Sequence, residues 1–366
     1  MPSGSTIQFT GLDRQYKSLR EEILHVSDEV YSTGQVLDGA NTKEFEDQIA
    51  KLTNRTYALT FNSCSQALLC SYIYLTNHYP QRNVAVPAMS FIATAGQPRL
   101  AGWNVKFIDV DKNSILDLDH LDIYRDSIDV ISYVNMFGNS IDYDKLRLIT
   151  SFFSKDVYVV EDAAQSFGAS YKGIPSGKMG DISCLSFDPT KNLPNYGSGG
   201  MFLTDDTLAY DFARNFKDNG KASGFELNGT NSKMSEVDCA QMIVKLKYFD
   251  AWQDRRTKIA TFYNECLSEY VTCPTVTPDS VHAWHKYVIN TFERDNIATY
   301  LKSKNIETKI HYRDTLNSHG IFRTLDLTNL PTAVKLSHTS LSLPIYPELL
   351  DEEVEYVVDM VQKFYD

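Results

Sequence analysis

The chain has 366 residues, which points to two domains, or one large α/β unit with an appendage, rather than a single small core. Its 43% hydrophobic and 22% charged residues are ordinary for a globular protein and argue against a disordered chain, a collagen-like repeat or a disulfide scaffold. A formal net charge of −12 argues against nonspecific binding to nucleic acid or an anionic membrane face, so an anionic substrate would need a local pocket of donors.

The N-terminal stretch from Met1 to Thr6 is short and polar and no apolar segment of signal-peptide type follows it. No run reaches the roughly 18 apolar residues a membrane span needs, so a soluble, cytoplasmic protein is expected. The first element is a helix, with Leu12, Tyr16, Leu19, Ile23, Val26 and Val30 on one face. A glycine-containing loop over 32–39 follows, then a second amphipathic segment from Thr42 through Phe45, Ile49 and Leu52. The chain next alternates helical stretches with short β-like runs at Tyr57–Phe61, Val84–Pro87, Val105–Asp109, Val130–Val134, Val157–Glu161, Ser183–Phe187 and Met201–Thr204. Several of these runs are apolar on both faces, as strands between two helical layers are, and the alternation predicts a doubly wound, mostly parallel sheet. The last two runs are too close for a helical crossover, so one strand there should be antiparallel. Past Val244 the pattern changes to a long helical stretch, Ile243–Ser268, and then to mixed short elements ending at Asp366. The division expected is an N-terminal helix and loop over 1–41 packing on the small domain, a large domain over 42–245 and a small α+β domain over 246–366. Cys64, Cys70, Cys184, Cys239, Cys266 and Cys273 include no close pair, which suits reduced thiols and no metal site.

The stretch 159–204 carries the chemistry. It opens with an apolar strand ending in Glu161-Asp162, and the carboxyl ends of strands line the ligand crevice of open α/β sheets. Twenty-nine residues after Asp162 comes Lys191, just past another apolar strand, within Ser186-Phe-Asp-Pro-Thr-Lys191-Asn-Leu. A lysine held partly desolvated there loses its ammonium proton more readily and becomes a nucleophile towards an aldehyde.

Glu161-Asp162-Ala-Ala-Gln165, Gly180-Asp181, Ser186 to Leu193 and the glycine-rich Gly199-Gly200 match, in order and spacing, the signature of a known family. The chain resembles the DegT/DnrJ/EryC1/StrS family of sugar aminotransferases, a branch of the fold-type-I pyridoxal-phosphate enzymes. The resemblance runs from Asp13 to about Pro347 and implies an aspartate-aminotransferase-like α/β fold, with a large mostly parallel seven-stranded sheet domain and a small C-terminal α+β domain.

It further implies that Lys191 forms the Schiff base with pyridoxal 5'-phosphate (PLP) and shuttles protons, as general base and acid. Asp162 would pair with the pyridine nitrogen and keep the ring an electron sink. Gln165 would approach the ring oxygen and Ser186 the phosphate. Ser63, Cys64 and Ser65, at a strand-to-helix junction, are candidates for the phosphate cradle, because helix N-terminal amides favour an anion. Phe91 would stack on the ring, and Asn231 would reach the cofactor phosphate of the neighbouring subunit, making the working unit at least a homodimer. Asp188, Tyr196, His285 and Tyr312 are candidate contacts to sugar or nucleotide.

Four positions depart from the family pattern. They are Cys64 for the usual glycine, Asn135 for the usual histidine, Lys233 for the usual arginine, and Asp188 for an aromatic or small polar residue. The expected reaction moves an amino group from an amino acid, L-glutamate first, through the pyridoxamine form to a nucleotide-linked 3- or 4-keto-deoxysugar. The alternatives are a sugar dehydrase of the same family, which carries histidine in place of the lysine, and a catalytically inactive sugar-binding or regulatory relative.

Overall fold

The computed structural model of the chain describes residues 6–323 and 329–366, so the polar Met1–Ser5 stretch lies outside the described residues. Its framework is a seven-stranded sheet of β1 (Tyr57–Phe61), β2 (Asn83–Pro87), β3 (Asn104–Ile108), β4 (Val130–Val134), β5 (Tyr158–Asp162), β6 (Ile182–Ser186) and β7 (Gly200–Thr204). The spatial order is β1-β7-β6-β5-β4-β2-β3. All neighbours are parallel except β7, which runs antiparallel to both β6 and β1. The short connection between β6 and β7 therefore does what its length dictates. Each strand lies within one residue of its sequence-based expectation. The residues of β4, β6 and β7 are buried throughout, as expected for strands covered on both faces.

Helix α1 (Leu12–Thr33) ends at Gly34, whose left-handed φ of 71° lets its N–H return to the Tyr31 carbonyl. α2 (Ala40–Leu52) begins against Glu236, whose carboxylate accepts the amides of Gly39, Asn41 and Thr42 and the Thr42 hydroxyl. α3 (Cys64–Thr76) is apolar almost all round, and accordingly lies between the sheet and its neighbours rather than on the surface. α4 (Ala93–Leu100) follows β2.

The expected single helix over Ile243–Ser268 is instead two, α5 (Glu236–Leu246) and α6 (Phe249–Leu267). No proline or glycine interrupts this stretch. The break at Lys247–Tyr248 is set by tertiary docking: Val244 packs against Leu19 and Ile23 of α1, while Phe249 packs on Phe167 at 4.7 Å between ring centroids.

A second core gathers Ile259, Tyr263 and Leu267 of α6 with the antiparallel pair β8 (Tyr287–Asn290) and β9 (Ser340–Leu343) and with Val357 and Val361 of α7 (Asp351–Tyr365). Near its start α1 is tied to this unit by Arg14, which grips both carboxylate oxygens of Glu353 at 2.6 Å. Because β1, β2, β4, β5 and β6 are mutually parallel, Phe61, Pro87, Val134, Asp162 and Ser186 all end at one edge of the sheet, which the second unit faces.

Candidate active site

Asp162 closes β5 and is 3% exposed. Its Oδ2 accepts a hydrogen bond from Thr94 Oγ1 at 2.8 Å and its Oδ1 accepts the Ala164 amide at 3.2 Å. Thr94 is itself paired with Ser90 at 2.8 Å. Burial raises the carboxyl pKa, opposed by Thr94, Ala164 and the charge of Lys191, and the net direction is upward. A cationic partner in the crevice would return it to the carboxylate form.

Lys191 sits on the turn that follows β6. Its amide donates to the Asp188 carbonyl at 2.9 Å, and Asp188 Oδ1 accepts both the Thr190 amide (3.1 Å) and hydroxyl (2.9 Å). Asp188 is thus the cap of the turn that presents Lys191. Ser186 Oγ accepts the Asp188 amide at 3.3 Å. On the far side Asn192 anchors the loop, donating to the Ala283 carbonyl at 2.6 Å and meeting His285 Nδ1 at 3.2 Å. Burial lowers the Lys191 pKa, more than Cys64, Asp188 and Asp162 raise it. The amine is therefore more available as a nucleophile at neutral pH than an ordinary lysine.

α3 points its N-terminus into the same crevice. Ser63 caps it, accepting the Gln66 amide at 3.3 Å, and the first-turn amides of a helix have no partner within it. Gly200, at the start of β7, lies so close to the Ser63–Cys64 peptide that a Cβ there would come within 2.7 Å of the Ser63 carbonyl oxygen and closer still to Cys64 N. Cys64 itself is accommodated, 8% exposed, with burial pushing its thiol pKa up. Close backbone approach is thus provided by Gly200 of the facing strand rather than at position 64.

These groups surround a cavity of about 470 Å³ whose lining includes Ser63, Cys64, Ser65, Phe91, Asp162, Gln165, Ser186, Asp188, Lys191, His285 and Tyr312. Phe91 is 54% exposed, an aromatic face open at the cavity rather than a core residue. Gln165 accepts the Phe137 amide at 3.1 Å through Oε1 and turns Nε2 towards the Tyr312 hydroxyl at 3.5 Å, so it bridges the two walls. His285 is buried, and burial together with Lys286 and Lys191 holds its pKa well below the usual value.

Two of the sequence-derived candidates do not line the cavity. Tyr196 packs edge-on against Tyr16 at 5.7 Å, with Lys245 Nζ 3.4 Å over its ring. Asn231 is exposed, on the loop whose next residue, Ser232, accepts the Asn62 amide. Lys233, in the same loop, pairs with Asp218 at 2.8 Å and Asp38 at 3.3 Å. Asn135 binds Glu161 Oε1 at 3.0 Å and the Ile141 amide at 2.8 Å, both in the interior.

Sequence reasoning assigned no role to Thr94, Glu161, Lys286, Lys309 or His311. Glu161 is completely buried and accepts five hydrogen bonds, from Asn135, Ser176, Gly177, Met179 and Ser183, fixing the end of β5 beside Asp162. Of these, Glu161 stands in the motif beside Asp162, and Thr94 follows Ser90, whose hydroxyl it meets, by four residues at the start of α4.

The match to known proteins bears directly on this geometry. Residues 17–362 match the model of the DegT/DnrJ/EryC1/StrS aminotransferase family. The chain belongs to this family. It is 32% identical to the "Pleiotropic regulatory protein" of Geobacillus stearothermophilus, over 97% of each chain. It is 29% identical to dTDP-3-amino-3,6-dideoxy-alpha-D-galactopyranose transaminase of Aneurinibacillus thermoaerophilus, covering 98% of this chain and 99% of that one. The crystal structure of Streptomyces venezuelae DesV in complex with a ketimine intermediate superposes with a TM-score of 0.94, at 27% identity and 99% coverage of both chains. As a member of this family the protein is an enzyme, an aminotransferase with the aspartate-aminotransferase-like fold. Among the described residues no helix is long and apolar enough to cross a membrane.

Proposed function

We propose that the protein is a PLP-dependent aminotransferase that moves an amino group from an amino acid, L-glutamate in the first instance, to a 3- or 4-keto group of a nucleotide-linked deoxysugar. The observation that carries this reading is the convergence of a desolvated Lys191 and a buried, hydrogen-bonded Asp162 on one cavity that also receives the N-terminus of α3.

The residues present fit the cofactor. The α3 N-terminus with Ser63, Ser65 and Ser186 would hold its phosphate, Gly200 leaving room for the approach. Asp162 would hold its ring nitrogen, Phe91 would cover the ring face, and Gln165 would stand near the ring oxygen. When bound, the cofactor supplies an aldehyde and a ring that delocalises the negative charge developing on a substrate carbon.

Thr94 and the Ala164 amide lock the Asp162 carboxylate in one orientation, so its charge is aimed before substrate arrives. The Nζ of Lys191, whose ammonium form burial disfavours, would take the proton from one carbon and give it to the other within each half-reaction, in one direction for the amino donor and in the reverse for the keto acceptor. Asp188 and Asn192 hold the turn that carries this amine. His285, Tyr312 and the mouth-side edge of Asp188 would meet the sugar nucleotide; Tyr196, behind the Lys191 loop, is assigned no contact with it.

The exposed Asn231 would serve a second subunit's cofactor phosphate, giving a homodimer with shared sites. The unpaired state of all six cysteines supports a cytoplasmic location. Retention of Lys191 favours transamination over sugar dehydration.

The test is the visible absorption of purified protein with PLP, before and after L-glutamate, beside Lys191→Ala. A visible band that requires Lys191 and gives way to a pyridoxamine-like band with glutamate is expected. A band that glutamate leaves unchanged would reject glutamate as donor. The absence of any Lys191-dependent band would overturn the reading in favour of a binding or regulatory protein.

A further inference from the structure

The side of the cavity supplied by the C-terminal unit carries basic side chains that the reaction above does not use. Lys286 immediately precedes β8 and is 7% exposed, yet lines the cavity. No carboxylate or other acceptor among the described residues reaches its Nζ. Its neighbour is the face of Phe9, with Nζ 4.8 Å from the ring centroid. Lys309 and His311 line the same wall, His311 being held by the Ser342 hydroxyl at 2.8 Å. The acidic residues of the cavity are already engaged, Asp162 by Thr94 and Asp188 by Thr190. Burial, together with the charges of Lys191 and Arg256, pushes the Lys286 ammonium well below its ordinary pKa, with only Asp188 opposing. An amine buried without a partner is costly unless something charged completes it.

We propose that Lys286, with Lys309 and His311 beside it, forms a second anion subsite that receives a carboxylate of the substrate. This rests on the aminotransferase reading and deepens it. The cofactor phosphate belongs at the N-terminus of α3. A nucleotide diphosphate leaves the sugar at the carbon remote from the keto group and needs an open path to solvent, which an almost fully buried Lys286 does not offer. A carboxylate next to the reacting carbon would lie in the cavity that Lys286 and Lys191 both line. Two sources present that chemistry: the amino-acid donor, whose α-carboxylate is bonded to the carbon that gives up the amine, and an acidic sugar.

The experiment uses the full chain loaded with PLP, comparing wild type with Lys286→Met and Lys286→Arg. Glutarate, a dicarboxylate without an amine, is titrated calorimetrically, so that binding is read without turnover. L-glutamate is followed by the cofactor's absorbance. Losing one charge-assisted contact should weaken both by about tenfold or more in the methionine variant, with arginine restoring most of the affinity and PLP affinity unchanged in all three. If the source is an acidic sugar, glutarate and glutamate are unaffected, and a nucleotide-linked hexuronate weakens while its 6-deoxy counterpart does not. Either pattern supports the subsite and names its occupant.

Equal binding of every carboxylate by wild type and Lys286→Met overturns it. So does an equal loss for a nucleoside diphosphate lacking sugar, which would make the occupant a phosphate. A wild type that binds carboxylates through Lys286 but shows no Lys191-dependent visible band with PLP would sink the aminotransferase reading while leaving the subsite standing.

Discussion

Gly200→Ala probes the joint on which the site is built. The methyl group would sit 2.7 Å from the Ser63 carbonyl oxygen, 0.7 Å short of the 3.4 Å at which ordinary contact begins, and closer still to Ser63 C and Cys64 N. All three atoms are backbone, at the end of β1 and the start of α3, and Gly200 pairs with Phe61 and Ser186 on its two sides, so no flexible side chain can yield. Overpacking of this kind costs about 1–3 kcal/mol. Relief requires α3 to withdraw from β7, which takes its amides away from the phosphate position. Loss of one charge-assisted amide contact, worth about 1.5–3 kcal/mol, weakens PLP binding by roughly tenfold to a hundredfold. The assay is a PLP titration by absorbance, with thermal unfolding measured with and without cofactor. Gly96→Ala is the control: nothing lies within 4 Å of a Cβ there, and its helical position should make the change neutral or stabilising by up to about 1 kcal/mol. If Gly200→Ala binds PLP within twofold of wild type and melts at the same temperature, the close-approach argument is wrong.

Asp162→Asn keeps an acceptor for Thr94 but removes the charge, so PLP should still bind while the glutamate half-reaction slows by about 10²-fold or more; an unchanged single-turnover rate would remove Asp162 from the chemistry. Glu161→Ala strands five buried donors and should destabilise the fold by about 3–5 kcal/mol in urea titration, whereas a change below about 1 kcal/mol would mean the network is dispensable. Burial raises the Glu236 pKa, but the Thr42 hydroxyl and the amides of Asn41, Thr42 and Gly39 lower it further, leaving it below its ordinary 4.5. A folded-state pKa below the unfolded one gives stability that is present above about pH 4.5 and lost as pH falls through the folded value. Urea midpoints measured from about pH 6 down to about pH 3 should show that loss, and Glu236→Gln should shallow it; identical slopes would refute the assignment.

The features carried by near neighbours in the chain were legible before folding was considered. Runs apolar on both faces must lie between helical layers, so all seven strands of the main sheet were found to within a residue, and the short link before Met201 required an antiparallel strand. Asp162 and Lys191 were legible because a strand-end acid and a lysine on the turn after a strand belong to one recognisable motif. Helix continuity across Lys247–Tyr248 was misread because propensity sees no breaker there, whereas the docking of Val244 and Phe249 on different partners imposes one. Cavity membership was the least legible. Tyr196, five residues from Lys191, faces Tyr16 and Lys245, while Lys286, 95 residues away, faces the cavity that Lys191 lines. Periodicity tells a residue which face of its own strand or helix it occupies. Only the packing of the C-terminal unit over the edge of the sheet decides which of those faces meet across a cavity, and it brings the buried Lys286 into the cavity that the N-terminus of α3 also lines.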